Sequence, residues 1–259
     1  MIIPFNKYQG TGNDFIIIDI RNSIFNPADS EFVKNLCNRR FGIGADGLIL
    51  ISLHEDYDFE MKYFNSDGNE SSMCGNGGRC AADFAFKEGI AGTRQKFLTF
   101  DGKHEALILN KLIRLQMNNV PAINRINESY FLNTGSPHYV KFITDLKNFD
   151  VFNEGKNLRW SDEFAPDGTN VNFVEVLDNG IFVRTYERGV EDETLSCGTG
   201  VTASAIASVL AGHFDINIIN VTTRGGNLSV EFKVKKNKIT DIWLCGPAIF
   251  VFKGEIEVG

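Results

Sequence analysis

The chain has no excess of positive charge and no long apolar run. Its 259 residues carry 26 Lys and Arg against 33 Asp and Glu, which gives a net charge of −7. We therefore expect neither nucleic acid nor an anionic membrane as its main partner. No segment approaches the run of about 18 apolar residues that a membrane span needs, and residues 1–10 lack the charged and apolar regions of a secretory signal. These absences favour a soluble globular protein, and they leave a small anionic substrate open.

Cysteine is scarce, and its number is odd. The five are Cys37, Cys74, Cys80, Cys197 and Cys245. An odd count in a chain of this length does not suit a disulfide framework, so we expect reduced thiols and a cytoplasmic location. No two pairs stand at zinc-like spacing, which predicts no metal site. The apolar or loop settings of Cys37, Cys80 and Cys245 favour ordinary packing.

Short apolar runs separated by glycines predict an α+β fold with many strands and few helices. The predicted strands cover residues 15–20, 48–51, 59–64 and 107–115. Two hairpins are predicted over residues 171–186, turning at Asn179-Gly180, and over residues 227–244, turning near Asn237. The predicted helices cover residues 30–39, with Ser30 as N-cap, and about 76–87 and 199–210, ending before Gly89 and Gly212.

Two of the predicted helices begin with the same motif. Each opens with Cys-Gly-x-Gly after a polar loop, at Cys74 and at Cys197, 123 residues apart. The same offset separates two pairs of glycines, Gly12 with Gly135 and Gly102 with Gly225. Three matches at one offset indicate a duplicated domain. We therefore predict two pseudo-symmetric halves, residues 1–118 and 119–259, each a mostly antiparallel sheet or barrel wrapped around one central helix.

A cysteine at a helix N-terminus is suited to acid–base chemistry. The first turn presents N–H groups without intrahelical acceptors and a partial positive charge, which stabilise a thiolate and bind a carboxylate. With one such cysteine from each half, one sulfur can remove an α-proton while the other returns a proton to the opposite face. Charge that develops on the carboxylate is stabilised by the helix ends. Cys74 and Cys197 are therefore predicted as the two bases of a racemase or epimerase.

Motifs spread over nearly the whole chain resemble those of the diaminopimelate epimerase family. The matching segments are residues 10–15, 39–47, 65–79, 135–138, 168–173, 186–189 and 197–200. The resemblance implies conversion of L,L-diaminopimelate to the meso isomer without pyridoxal phosphate or metal, in cytoplasmic lysine and peptidoglycan synthesis. It also implies a two-domain fold with its site at the domain interface, often in a homodimer. The tail at residues 250–259 can then return to the first domain.

The resemblance also implies roles for individual residues. His138 and Glu187 assist Cys74 and Cys197 in proton transfer. The substrate-binding residues are Asn13, Asn65, Gly75, Asn76, Asn170, Glu187, Arg188, Gly198 and Thr199. Of these, the glycines with Asn76 and Thr199 supply helix N–H groups to the reacting carboxylate, and Asn13 lies near the reacting end. The distal amino-acid group is bound by Asn65, Asn170, Glu187 and Arg188.

Two positions depart from the family pattern among the residues expected to bind the distal group of the substrate. Position 47 is Gly, where some members carry a Gln that contacts substrate. Position 136 is Ser, where many carry an Asn that reaches the distal carboxylate. Neither departure touches the two cysteines.

Three other interpretations remain open. A proline racemase or hydroxyproline epimerase would share the fold, but the first motif of those enzymes has His where this chain has Asn76, and their ring substrates offer no distal zwitterion. A relative that had lost the thiol chemistry would not be expected to keep both cysteines. A thiol redox or metal-binding protein would require a stable disulfide or a bound metal, which the cysteine spacing does not favour.

Overall fold

A computed structural model describes residues 2–22, 29–235 and 238–257 of the chain. The helices are α1 (Ser30–Cys37), α2 (Gly75–Lys87), α3 (Val151–Arg159) and α4 (Gly198–Leu210). The first nine strands are β1 (Ile2–Gly10), β2 (Asn13–Asp19), β3 (Gly47–Ser52), β4 (Phe59–Asn65), β5 (Glu70–Ser71), β6 (Arg94–Thr99), β7 (Gly102–Leu109), β8 (Leu112–Met117) and β9 (Ile123–Ile126). The others are β10 (Ser129–Asn133), β11 (Pro137–Phe142), β12 (Asn170–Leu177), β13 (Gly180–Glu187), β14 (Asp192–Thr194), β15 (Ile218–Thr223), β16 (Gly226–Lys235), β17 (Lys238–Pro247) and β18 (Ile249–Glu257). Among the helices so described, none combines the length and the apolar character needed to cross a bilayer.

The chain divides into two compact units. The N-terminal unit comprises Met1–Leu115 with Gly246–Gly259, and the C-terminal unit comprises Gln116–Cys245. In the N-terminal unit the strands are paired in the order β18, β1, β2, β3, β4, β6, β7 and β8. The pairs β2–β3 and β4–β6 are parallel, and the other five pairs are antiparallel. In the C-terminal unit β9 to β13 and β15 to β17 repeat this sequence of pairings. The short strands also correspond, because β5 pairs antiparallel with the end of β4, and β14 pairs antiparallel with the end of β13. The protein is therefore α+β, with one topology used twice.

Each unit wraps its strands around a buried helix. Helix α2 packs against β1, β2, β3, β7 and β18, and every residue from Gly75 to Ala85 is buried. Helix α4 packs against β10 to β13, β15 and β16, and its small side chains are buried on all sides over most of its length. An enclosed helix is expected to be small or apolar around most of its circumference, as α4 is, whereas α2 also buries Asn76 and Arg79, which are hydrogen-bonded to each other.

A second helix covers the other face of the parallel strands in each unit. Helix α1 contributes Val33 and Leu36 to a cluster with residues of β1, β2 and β3. In the C-terminal unit, Val151 of α3 joins a cluster with residues of β11, β12 and β13. The uninterrupted apolar run of β2, residues 15–18, is fully buried because both faces of the strand are covered.

The sequence predictions for α2, α4 and the hairpin of β12 and β13 are confirmed, and several details are corrected. The predicted Ser30 N-cap is wrong, because Asp29 accepts the N–H of Glu31 and Ser30 is the first helical residue. The single strand predicted over residues 107–115 is two strands, separated by a turn in which Asn110 has a φ of 58°. The first hairpin turns at residues 178–179, since Leu177 pairs with Gly180. The turn predicted near Asn237 lies outside the described residues.

Candidate active site

Cys74 lies at the N-terminus of α2, as the motif predicts. It is the N-cap residue in extended conformation, and its side chain makes no capping hydrogen bond. The helix begins when the N–H of Gly78 donates to the Cys74 carbonyl at 2.7 Å. The N–H groups of Gly75 and Gly77 therefore belong to the first turn, which has no intrahelical acceptor for them and carries the positive end of the helix dipole.

Asn13 presents its amide oxygen to the sulfur of Cys74. The thiol of Cys74 donates to Asn13 Oδ1 at 3.4 Å, and Asn76 Nδ2 donates to the same oxygen at 3.4 Å. The orientation of the Asn13 amide is fixed by Asp46, because Asn13 Nδ2 donates to Asp46 Oδ2 at 2.6 Å. A carboxylate only accepts, so the oxygen of the amide must face Cys74.

An ion network supports Asn13. Arg39 donates to Asp46 Oδ1 at 2.7 Å and to Asp14 Oδ1 at 2.6 Å, and Lys7 Nζ lies 2.7 Å from Asp14 Oδ2. Burial of Asp14 raises its pKa, but hydrogen bonds from Arg39 and Lys7 outweigh burial and hold it at about 2. Asp14 is therefore ionised at neutral pH.

The buried Arg79 fixes the second amide at this site. Its guanidinium donates to Asn76 Oδ1 at 2.9 Å and to the Gly75 carbonyl at 3.2 Å. Thr11 Oγ1 also donates to Asn76 Oδ1, at 3.3 Å. Since Oδ1 of Asn76 faces these donors, its Nδ2 faces Asn13.

The loop before Cys74 is held by the carboxylate of Asp101, whose side chain is partly buried. The N–H of Met73 donates to Asp101 Oδ1 at 3.1 Å, and Thr99 Oγ1 donates to the same oxygen at 2.8 Å. His104 Nε2 lies 3.4 Å from the other oxygen, Oδ2. Burial raises the pKa of Asp101, but these hydrogen bonds outweigh burial and hold it well below its usual range.

Cys197 occupies the equivalent position at the start of α4. It too is an extended N-cap residue without a side-chain capping bond, and the N–H of Val201 donates to its carbonyl at 2.8 Å. Its sulfur lies 3.4 Å from Thr199 Oγ1, which lies 2.9 Å from His138 Nε2. Thr134 Oγ1 donates to the Thr199 carbonyl at 2.8 Å and so ties the helix start to the loop after β10.

The tautomer of His138 follows from Asn172. Asn172 Nδ2 donates to the Tyr139 carbonyl at 3.1 Å, and a carbonyl only accepts, so this amide is fixed. The same Nδ2 lies 3.0 Å from His138 Nδ1, which is therefore the acceptor, and the neutral ring carries its proton on Nε2. Burial lowers the pKa of His138 to about 3, and the positive charge of Arg188 acts in the same direction. His138 is a neutral hydrogen-bond donor at physiological pH.

Asn170 joins the site to Arg188. Its Nδ2 donates to Ser136 Oγ at 3.1 Å and to the Pro137 carbonyl at 2.9 Å, while its Oδ1 accepts the N–H of Arg188 at 2.8 Å. Ser136 Oγ in turn lies 3.0 Å from His138 Nε2. The predicted residues Cys197, His138, Thr199, Asn170 and Arg188 thus share one hydrogen-bonded region of the C-terminal unit.

The other predicted residues lie at strand ends. Asn65 ends β4 opposite Gly47, and the half-buried Glu187 ends β13 just before Arg188. A Cβ at Gly47 would lie 2.5 Å from Cε2 of Tyr63 and 2.6 Å from the Phe64 carbonyl oxygen. The glycine that departs from the family pattern is therefore required by the Phe64 backbone and the ring of Tyr63.

Of the three cysteines predicted to be structural, Cys37 and Cys80 are buried and Cys245 is half-buried. Burial raises the pKa of Cys37 to about 12, and it raises that of Cys80 further. Neither thiol is therefore ionised at neutral pH. Within the described parts of the chain, no three His, Cys, Asp or Glu side chains form a group that could hold a metal ion.

Several residues of both sites had been given no role from the sequence. Asp46 and Arg39 support Asn13, Asp101 supports the loop before Cys74, and Asn172 fixes His138. The alternation of β12 offers one signal, because Asn170 and Asn172 share a face of the strand and only a polar site justifies two buried amides there.

Known proteins resemble this chain in sequence and in fold. The profile of the family "Diaminopimelate epimerase" matches residues 5–116 and 130–251. A diaminopimelate epimerase of Flavobacterium psychrophilum is 52% identical over 252 residues, covering 96% of this chain and 98% of the relative. A phenazine biosynthesis protein of the PhzF family from Bacillus anthracis superposes with a TM-score of 0.78 at 14% identity, over 100% of both chains. A hydroxyproline epimerase from Agrobacterium vitis gives a TM-score of 0.73 at 12% identity, over 98% of this chain and 92% of that one. The two solved structures show a shared fold.

Proposed function

Since the chain belongs to the diaminopimelate epimerase family and is an epimerase, we propose that it converts L,L-2,6-diaminopimelate to the meso isomer by a two-base thiol mechanism. Cys74 and Cys197 are the two bases, and the reaction uses neither pyridoxal phosphate nor a metal. The product feeds lysine and peptidoglycan synthesis in the cytoplasm.

The observation that carries this proposal is the repeated placement of a cysteine as the N-cap of a buried helix. The reacting carboxylate accepts from first-turn N–H groups of Gly75, Asn76, Gly198 and Thr199. One sulfur, as thiolate, takes the α-proton, and the thiol on the opposite face of the α-carbon returns a proton. The negative charge of the intermediate is stabilised by the same N–H groups and helix dipoles.

Glu187 and Arg188 select a substrate with a second amino-acid group. The Arg188 guanidinium can bind the distal carboxylate through two parallel hydrogen bonds, and Glu187 can accept from the distal ammonium. Asn170 positions Arg188 through its backbone N–H, and a second lone pair of the same Oδ1 can accept from the ammonium. Asn65 is proposed as a further amide at this end. His138 and Glu187 adjust the proton affinity of the sulfurs.

The exposed surface of β18 supports assembly of the enzyme as a homodimer. Ile249, Phe250, Val251 and Phe252 are consecutive and 39–51% exposed. Exposed apolar side chains clustered in this way along one strand are typical of an interface. Sedimentation equilibrium of the wild-type protein tests this part of the proposal directly.

The function is tested with L,L-diaminopimelate and the reduced enzyme, without added cofactor. We expect the meso isomer to form, and Cys74→Ala and Cys197→Ala each to lower kcat/KM at least about 10³-fold, because each removes one of the two proton carriers. Cys245→Ala is the matched control and should stay within twofold of wild type.

Two outcomes would contradict the proposal. Turnover that survives loss of either Cys74 or Cys197 would exclude a two-thiol mechanism. A wild-type enzyme that leaves diaminopimelate unchanged but inverts proline or hydroxyproline would show that the distal residues have been assigned to the wrong substrate.

A further inference from the structure

The two cysteine sites have the same backbone framework, so their side chains can be compared position by position. In the N-terminal unit β2 and β3 pair Phe15 with Gly47, and in the C-terminal unit β11 and β12 pair His138 with Asn170, in both cases 123 residues later. At this offset the equivalent pairs around the sulfurs are Asn13 and Ser136, Phe15 and His138, Ile49 and Asn172, and Asn76 and Thr199.

Contacts of the helices confirm this equivalence. A Cβ at Gly77 of α2 would contact Ile49 at 3.3 Å and Phe15 at 3.4 Å. A Cβ at Gly200 of α4 would contact the counterparts of these residues, Asn172 and His138. The same two strand positions therefore face each helix, with apolar side chains in one unit and a hydrogen-bonded polar pair in the other.

The hydrogen bonds of the C-terminal unit direct a proton toward Cys197. His138 carries its proton on Nε2, so this nitrogen donates and cannot accept from Thr199. Ser136 Oγ lies 3.4 Å from Thr199 Oγ1, which is longer than an ordinary O–H···O hydrogen bond. The hydroxyl proton of Thr199 is thereby left to the sulfur 3.4 Å away, and a thiolate is a stronger acceptor than a thiol.

In the N-terminal unit the polarity at the sulfur is reversed. Asn13 Oδ1, fixed by Asp46, faces Cys74 as an acceptor at 3.4 Å. An amide oxygen stabilises a thiol that donates its S–H, and it repels a thiolate. The contacts at the two sulfurs thus favour opposite protonation states.

Charged groups of both signs lie further from each sulfur. Near Cys74, Lys7 and Arg39 pair with Asp14 and Asp46, Lys87 pairs with Asp83, and Arg79 donates to Asn76 Oδ1 and the Gly75 carbonyl. The elements around Cys197 carry Glu187 and Arg188, the ion pair of Glu191 with Arg159, and Glu193 paired with Arg184 and Arg224. Both signs are present at each site, so the assignment of the thiolate rests on the hydrogen-bond contacts of the two sulfurs.

We propose, on the basis of the function proposed above, that the resting enzyme holds Cys197 as thiolate and Cys74 as thiol, with Thr199 as the positioning residue that stabilises the thiolate. In the first half of a turnover Cys197 takes the α-proton and Cys74 gives its proton to the opposite face. The pair is left with its proton on Cys197, and return of that proton to Cys74 through solvent restores the resting state. The isomer whose α-proton faces Cys197 is then the one that the resting enzyme accepts.

Site-resolved alkylation tests the assignment without substrate. The wild-type protein is treated with iodoacetamide across pH 5 to 10, and initial alkylation rates of the peptides containing Cys74, Cys197 and Cys245 are followed by mass spectrometry. We expect the midpoint of the rate profile of Cys197 to lie at least about one pH unit below that of Cys74. Midpoints are compared rather than absolute rates, because Cys197 is the more buried of the two sulfurs.

Variants of Thr199 separate its hydroxyl from its bulk. Thr199→Val should raise the midpoint of Cys197 by about one pH unit, a tenfold change in thiolate fraction. Thr199→Ser should leave it within about 0.3 units of wild type, and Cys74 and Cys245 should be unaffected by either change. A lower midpoint for Cys74 than for Cys197 in the wild type would overturn the proposal, as would an unchanged Cys197 midpoint in Thr199→Val. The comparison of the Cys74 and Cys197 midpoints uses the wild-type protein, so it does not depend on the folding of a variant. Failure of the proposed epimerase function would be seen in the turnover assay and not in the alkylation rates.

Discussion

The two units of this protein hold a cysteine at the same position of the fold through different interactions. Both place a cysteine at the start of a helix buried among strands of identical topology. In the N-terminal unit the strand residues that face this helix start are the apolar Phe15 and Ile49, and Asn13 is held by an ion network. The C-terminal unit buries a neutral chain of Asn172, His138 and Thr199 instead. Duplication therefore preserved the placement of the sulfur, while its immediate contacts diverged.

The largest difference in stability between the two units is expected when one methyl group is added at the start of each buried helix. At Gly200 a Cβ would lie 2.3 Å from Asn172 Oδ1, whereas at Gly77 its nearest neighbour is a flexible Ile49 methyl at 3.3 Å. Gly200→Ala should destabilise the protein by about 3 kcal/mol, because it displaces the buried amide that fixes His138. Gly77→Ala is the matched control and should change stability by less than about 1 kcal/mol, since the helix propensity of Ala offsets the tighter packing. Urea unfolding measures both, and equal costs would mean that the two helix starts are packed alike.

Mild acid should weaken the C-terminal site first. The pKa of His138 falls from 6.5 to about 3 on folding, so the unfolded chain binds more protons between these values. The stability that the neutral ring contributes is complete above pH 6.5 and is lost as pH falls toward 3. Between pH 6.5 and pH 5 the loss should be about 2 kcal/mol. Urea unfolding of wild type and His138→Gln over this range tests the assignment, because the Gln variant should lack this increment. Equal pH slopes would show that His138 is not held neutral by the fold.

Stronger acid should then weaken the N-terminal site. The pKa of Asp14 falls from 3.8 to about 2 on folding, so its contribution is present above pH 4 and is lost as pH falls toward 2. Between pH 4 and pH 3 the loss should be about 1 kcal/mol. Asp14→Asn should remove this slope in unfolding measurements. A variant with the wild-type slope would assign the acid sensitivity to another carboxylate.

The sequence predicted the parts of this molecule that local signals determine. Helices α2 and α4 were found because their glycine-rich starts and terminal glycines are local features, and the duplicated topology followed from the 123-residue offset. Helix α3 was missed because Gly155 interrupts its helical pattern. That glycine is required by tertiary packing, since a Cβ there would lie 2.3 Å from Cβ of Tyr186.

Within the site, residue types could be predicted and proton directions could not. Asn13, His138 and the two cysteines were identified from their motifs. Which atom of each amide faces the sulfur depends on Asp46 and on the Tyr139 carbonyl, which lie on neighbouring strands and loops. Such orientations are set by contacts between distant residues, so they require a structure.

The most direct test of the two-thiol account is the position of solvent deuterium at early conversion. Wild-type enzyme is incubated with L,L-diaminopimelate in D₂O, and the recovered substrate and the meso product are separated before about 10% conversion and analysed by mass spectrometry. Two bases on opposite faces predict one deuterium in nearly every meso molecule and little in the recovered L,L isomer. Deuterium entering the recovered substrate as fast as the product, or meso product without deuterium, would contradict a thiol on each face.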